Sequence, residues 1–443
     1  MINAKASVVC SQTRTPACHV TPMRTLAWEV ASHRLFREGH RSARPTATRQ
    51  FPGRLQRRTI GHLVATLAVL MVAAGSSFAQ TPPPKDPPVF KIGAIMPMTG
   101  AGAYYGGLNS KGIQLAADEI NAAGGINGIP VEIVLDDNKS GNAEASVAAM
   151  KRMISVHGVK AVLTSYSPST LAIVPIAEQD DVLLVNAGGT SQQLAEASSL
   201  LINDKSLAAD LGGAIAKEAT ARGFRRMAIL YTKSDAGENI VNRIVQPWQR
   251  AGLEVTAREA MQPGATNIDT QVAKLKASRP DFVALFVFGE EPGIALKRLR
   301  QFGVEVPVIG LEYGPDAQRI GGADMEGYLY INDFFAPTVD NPWSMSFVRS
   351  FKERAKEAPN SYAANYYESV YIIAEAARRA RSKGGDYWAG RRLRAAISEA
   401  PNFPSVYGGD LVFQANGVSV KRAGLFRVVK GEGKFVRMID LSH

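Results

Sequence analysis

The chain has two cysteines, Cys10 and Cys18, and both precede Gln80. Beyond that point no disulfide, thiol nucleophile or thiolate metal site can form. Histidine is nearly as scarce: only His157 and His443 follow residue 80, which removes zinc sites and catalytic triads that need well-placed imidazoles. The sequence has no G-x-S-x-G elbow, no Tyr-x-x-x-Lys pair and no Walker A lysine. Net basic charge is missing from the bulk of the chain. Before Gln80, Lys5 and ten arginines stand against Glu29 and Glu38, which is +9 of the formal +11. The remainder is nearly neutral, so nucleic acid is not an expected partner.

Long apolar runs are also lacking. The apolar stretch at residues 60–74 is too short and wrongly flanked for a membrane span. Arg57 and Arg58 before it, and Ser77-Phe78-Ala79 after it, make residues 55–79 a secretory signal with cleavage expected after Ala79. No cysteine follows the run, so a lipid anchor is not expected. Residues 1–54 are arginine-rich and precede a signal that is already complete, so translation is expected to begin near Leu55. The Arg-Arg pair hints at twin-arginine export, but the residues after it match poorly. Residues 80–88 (QTPPPKDPP) are a proline-rich linker.

What the chain does have begins at residue 89. Residues 90–96 are a short apolar run closed by Pro97, suited to a strand covered on both faces. Thr99-Gly100-Ala101-Gly102 is turn chemistry. Ile113, Ala116, Ala117 and Ile120 recur at helical spacing, and Gly124-Gly125 ends the helix before a strand at 131–135. Alternation continues, with strands expected at 161–164 and 182–185 and helices at 143–156 and 168–178. It restarts after Asn203, with strands at 227–231, 255–260, 282–288 and 306–309 separated by helices. The fold class is therefore α/β, with two parallel-sheet lobes covered by helices. Helices at 342–356, 361–382 and 387–399 break the rhythm, and short strands near 410–413 and 425–429 follow.

A dinucleotide turn does not fit. Gly100, Gly102 and Gly106 follow GxGxxxG spacing, and Asp136 and Asp137 lie well past the interval for a ribose-binding acid.

Residues 89–137, with their strand, P-x-x-G turn, aromatic-Gly step and INAAGGINGIP helix end, resemble the opening of the periplasmic substrate-binding proteins that serve branched-chain amino acid ABC importers. The resemblance implies a type I periplasmic binding protein: two Rossmann-like lobes joined by a three-segment hinge. It implies lobe 1 at 89–202 and 333–408 and lobe 2 at 203–332 and 409–443, with crossings near Ile202-Asn203, Asn332-Asp333 and Gly408-Gly409. It implies a monomeric, periplasmic, non-enzymatic receptor that needs no cofactor, captures a small carboxylate and docks on an inner-membrane ABC permease. The expected ligand is a branched-chain or other apolar amino acid. The alternatives are an aromatic or 2-keto acid, or a sensor that passes occupancy to a separate partner.

Ligands of open α/β sheets bind beyond the carboxyl ends of the strands. Residues 164–169 (TSYSPS) and 186–191 (NAGGTS) each follow a strand there, offering hydroxyls and free N–H groups. By the resemblance, Ser167, Gly188 and Thr190 hold the ligand carboxylate; read alone, Ser167 and Thr190 are also ordinary helix caps. Glu312 matches the acid that pairs with an α-ammonium, and Tyr104 or Tyr105 supplies an aromatic wall. Asp204 either assists the ammonium or caps the following helix. Ala236 and Phe288 stand where the resemblance places tyrosines, which makes that wall less polar and leaves room for aromatic or keto acids.

Overall fold

The computed structural model describes residues 86–335 and 340–439. The leader, the signal segment and most of the proline-rich linker lie outside the described residues, as does His443.

The first sheet grows from β1 (Phe90–Met96), in which every residue but Lys91 is buried. Its neighbours are β2 (Val131–Asp137), β3 (Ala161–Thr164), β4 (Leu183–Asn186) and β5 (Leu201–Asn203), in the order β2-β1-β3-β4-β5. All of its pairings are parallel. Helices cover β1, β3, β4 and β5, which are buried, while the edge strand β2 is only partly so; the fit is close, since a Cβ at Gly93 would run into Met153 and Val162. The helix Ala103–Ala122 stops where the sequence suggested. Gly124 and Gly125 take φ of 95° and 71°, and the Gly125 N–H closes on the Ile120 carbonyl at 2.9 Å. The strand β5, only three residues long, carries too little periodicity to be read from sequence.

The second sheet holds β6 (Arg226–Thr232), β7 (Glu254–Met261), β8 (Phe282–Phe286), β9 (Val308–Gly310) and β10 (Leu329–Asp333), all parallel. After β10 come the helices Pro342–Ala355 and Ser361–Arg381, which pack on Ala103–Ala122, and then Gly390–Glu399. The strands β11 (Asn402–Pro404), β12 (Asp410–Phe413) and β13 (Ser419–Val420) form a small antiparallel sheet. That sheet is joined to the first lobe by a bridge between Asn203 and Val418. Only then do β14 (Ala423–Val429) and β15 (Glu432–Ile439) add antiparallel to β10, giving the order β15-β14-β10-β9-β8-β6-β7.

The chain therefore passes between the two sheets three times. The first two passages, after Asn203 and after Asp333, fall where the rhythm of the sequence changes. The third falls at Lys421-Arg422 rather than Gly408-Gly409, because β12 and β13 stay with the first lobe.

Candidate functional site

The turns after β3 and β4 are stitched together by their own polar groups. Asn186 Oδ1 accepts from the N–H groups of Gly188 and Gly189 at 3.3 and 2.7 Å, and its amide donates to Asn203 at 2.9 Å. Ser167 is buried at the first position of the helix Ser167–Asp180, and its Oγ accepts from the Ser191 N–H at 3.0 Å. Thr190 is buried beside it, and its carbonyl receives the Ala208 N–H at 2.7 Å. Neither residue is a helix cap: the caps are Tyr166 for Ser167–Asp180 and Ser191 for the 3-10 turn Gln192–Ala195. Gly188 must lack a side chain, since a Cβ would collide with the Tyr366 hydroxyl, which donates to the Thr164 carbonyl at 2.8 Å.

Glu312 lies just past β9 in the second lobe and is 6% exposed. Its carboxylate accepts from the Tyr105 hydroxyl and from the Gly289 N–H. Burial pushes its pKa above the ordinary value, against the pull of those two bonds and of the Lys205 charge. Tyr105 belongs to the first lobe, so this bond crosses between lobes. The Tyr105 hydroxyl also rests on Gly314, where a Cβ would displace it. Tyr105 stands edge-on to Tyr362 at 5.8 Å. Tyr104 turns away from this group and donates to Glu357 at 3.0 Å. Phe288 packs on the second-lobe core, and its N–H bonds Glu291 at 3.2 Å.

Asp204 neither caps the next helix nor approaches Glu312. The cap residue is Leu207, and the Asp204 carboxylate lies 2.6 Å from Lys421 Nζ and accepts from Ser369 Oγ at 2.7 Å. It belongs to a buried ion cluster at the three passages between lobes. Lys205 Nζ contacts Asp333 at 2.7 Å and Asn332 at 2.8 Å, and Lys421 also contacts Glu368 at 3.1 Å and Asn365 at 2.7 Å. Burial would raise the Asp333 carboxyl, but Lys205 and Lys421 hold it below its ordinary value. For Lys421 burial works to lower the pKa, and the facing carboxylates of Asp204 and Glu368 raise it.

Sequence reasoning missed Lys205, Asp333, Lys421, Tyr362 and Tyr166. Of these only Tyr166 left a signal, as the one large residue inside a run of hydroxyls. It has φ 60° and ψ 136°, a backbone state that costs a residue with a Cβ about 1–3 kcal/mol. Among the described residues no group of three or more acidic, histidine or cysteine side chains is placed to hold a metal. No described helix is long and apolar enough to cross a membrane.

A family model described as periplasmic binding protein matches residues 89–433. The chain belongs to that family. It is a solute-binding receptor of the ABC transporter type, resembling leucine-binding proteins, and not an enzyme. It is 26% identical over 365 residues to a leucine-, isoleucine-, valine-, threonine- and alanine-binding protein of Pseudomonas aeruginosa, covering 81% of this chain and 92% of the relative. Among solved structures, the branched-chain amino acid binding protein LivJ of Streptococcus pneumoniae, in complex with isoleucine, superposes with a TM-score of 0.70 at 25% identity. That match covers 79% of this chain and 99% of LivJ. A solute-binding protein of R. palustris in complex with benzoate shares the fold, with a TM-score of 0.70 at 18% identity and coverage of 79% and 96%.

Proposed function

We propose that this protein is the extracytoplasmic component of an ABC importer, released after removal of residues 55–79, and that it captures a small amino acid as a monomer. The ligand carboxylate is held by Ser167, Gly188 and Thr190, and the α-ammonium by Glu312. The observation that carries this reading is Glu312 itself: a buried carboxylate bonded by one phenol and one N–H, with the nearby Lys205 ammonium already engaged by Asp333 and Asn332. A buried anion without a bonded cation is complementary to a ligand cation. Closure of the lobes then excludes water and strengthens the bonds at both ends of the ligand. The closed form docks on a permease in the inner membrane.

A second reading, uptake of an aromatic or 2-keto acid, is favoured by the Tyr105–Tyr362 edge beside the same site and by the benzoate held in a protein of the same fold.

Thermal-shift screening of the purified protein separates the two. A ligand at 100 times its dissociation constant stabilises a fold by about 2.7 kcal/mol. Stabilisation by small amino acids supports the first reading. Stabilisation only by acids lacking an amine removes the role of Glu312 and leaves the second.

A further inference from the structure

Tyr166 precedes Ser167 directly, and the chain on both sides of it is pinned. Ser165 Oγ donates to the Ile95 carbonyl at 3.0 Å and accepts from Asn138 at 2.8 Å, while Ser167 holds the Ser191 N–H. The Tyr166 carbonyl receives both the N–H and the hydroxyl of Thr170, at 3.0 and 2.9 Å. Between these anchors the residue keeps a positive φ that glycine would adopt freely, yet it carries a phenol.

Two glycines make room for that phenol. A Cβ at Gly102 would overlap the Tyr166 hydroxyl, and a Cβ at Gly141 would press on its ring. The hydroxyl so placed makes no hydrogen bond among the described residues, whereas those of Tyr104, Tyr105 and Tyr366 each have a partner. Tyr362 also makes none, but it presents its ring to the Lys205 ammonium at 5.2 Å. Tyr166 retains 36% of its surface, and the second-lobe carboxylates Glu312 and Glu291 act on its hydroxyl.

The charges around it define what it accepts. Burial, together with the Glu312 and Glu291 carboxylates, pushes its ionisation up to about 12, so it remains an O–H donor at neutral pH. Those two carboxylates also repel an anionic side chain. The hydroxyl lies against Gly102, on the turn that follows β1 and carries Tyr105, one side chain's length from the backbone of the carboxylate turn, which suits a ligand side chain carrying a neutral oxygen.

We propose that Tyr166 is a specificity-determining residue whose phenol donates a hydrogen bond to an oxygen on the ligand side chain, so that the protein prefers a hydroxylated amino acid over an apolar one of the same shape. This rests on the amino-acid reading above.

L-Threonine and L-valine are near-isosteric probes, and isothermal titration of both against wild type and Tyr166→Phe is the test. Wild type should bind threonine about tenfold more tightly, the size of one buried hydrogen bond. Tyr166→Phe should abolish that preference by weakening threonine relative to valine about tenfold, with the melting temperature unchanged. Equal affinities in wild type, or a threonine preference that survives in Tyr166→Phe, would overturn the proposal. If wild type bound neither amino acid, the amino-acid reading itself would fall, and this proposal with it.

Discussion

Lys421 Nζ lies 2.6 Å from Asp204 Oδ1, and this contact ties the third passage between the lobes to the first. Burial pushes the Asp204 carboxyl up to about 7, against the pull of Lys421 and with the push of Glu368. The folded protein therefore holds this proton more tightly than the unfolded chain does. Stability contributed by Asp204 is fully present below its unfolded pKa of 3.8 and is lost as pH rises through about 7. Denaturation curves recorded between about pH 4.5 and 8 should show wild type losing stability relative to Asp204→Asn. Differences that do not change with pH would sink this account.

Asp333 is the counter-ion of Lys205 at 2.7 Å and receives the Asn365 amide at 3.4 Å. Asp333→Ala leaves Lys205 buried with a neutral amide oxygen and no carboxylate bonded to it. Urea denaturation should register a loss of roughly 3–5 kcal/mol. A loss below about 1 kcal/mol, typical of exposed pairs, would mean that water reaches this cluster.

Glu312→Gln keeps the shape of the site and removes its charge. Affinity for an amino-acid ligand should fall by roughly 2–5 kcal/mol, the cost of breaking a buried charged pair, with no comparable fall for acids lacking an amine. A protonated Glu312 cannot pair with an ammonium, so affinity should also drop as pH falls through its raised pKa. The Tyr105 hydroxyl holds that pKa down, and Tyr105→Phe should move the drop to higher pH. An unshifted titration profile in Tyr105→Phe would disconnect the phenol from Glu312.

Replacing Ser167 and Thr190 together by alanine should weaken any carboxylate ligand at least tenfold, about 1.4 kcal/mol. Ser167 also serves the Ser191 N–H, so a drop in melting temperature is expected alongside. If the double variant binds as wild type does, the carboxylate is held elsewhere.

Much of the scaffold was legible because local signals and tertiary structure agree. The run at residues 90–96 is strand β1 with the same bounds, since closed-over parallel strands read as continuous apolar residues. The Gly124-Gly125 stop is visible because only glycine tolerates both backbone states cheaply. The two hydroxyl-bearing turns were legible as neighbours for the same reason: each is punctuation between a strand and a helix. The role of Asp204 was not, because its partners Ser369 and Lys421 lie far along the chain. Lys421 sits in the unremarkable stretch Val420-Lys421-Arg422-Ala423, and nothing local marks it as buried. The third passage was misplaced because Gly408-Gly409 is a strong turn signal, and the pairing of β12 with β11 depends on contacts that periodicity does not report.

Burying the ion cluster has a further consequence for how the two halves of the molecule move. Added salt weakens interactions between charges that solvent reaches, over a Debye length of about 10 Å at 0.1 M. At the connecting segments Asp204, Lys205, Asp333 and Glu368 are each 0–1% exposed, so mobile ions cannot enter between them. Such a joint is screened much less by added salt than an exposed ion pair is, while the gain or loss of one proton at Asp204 changes its charge. The proposed closure would then depend less on the salt around these charges than on their protonation.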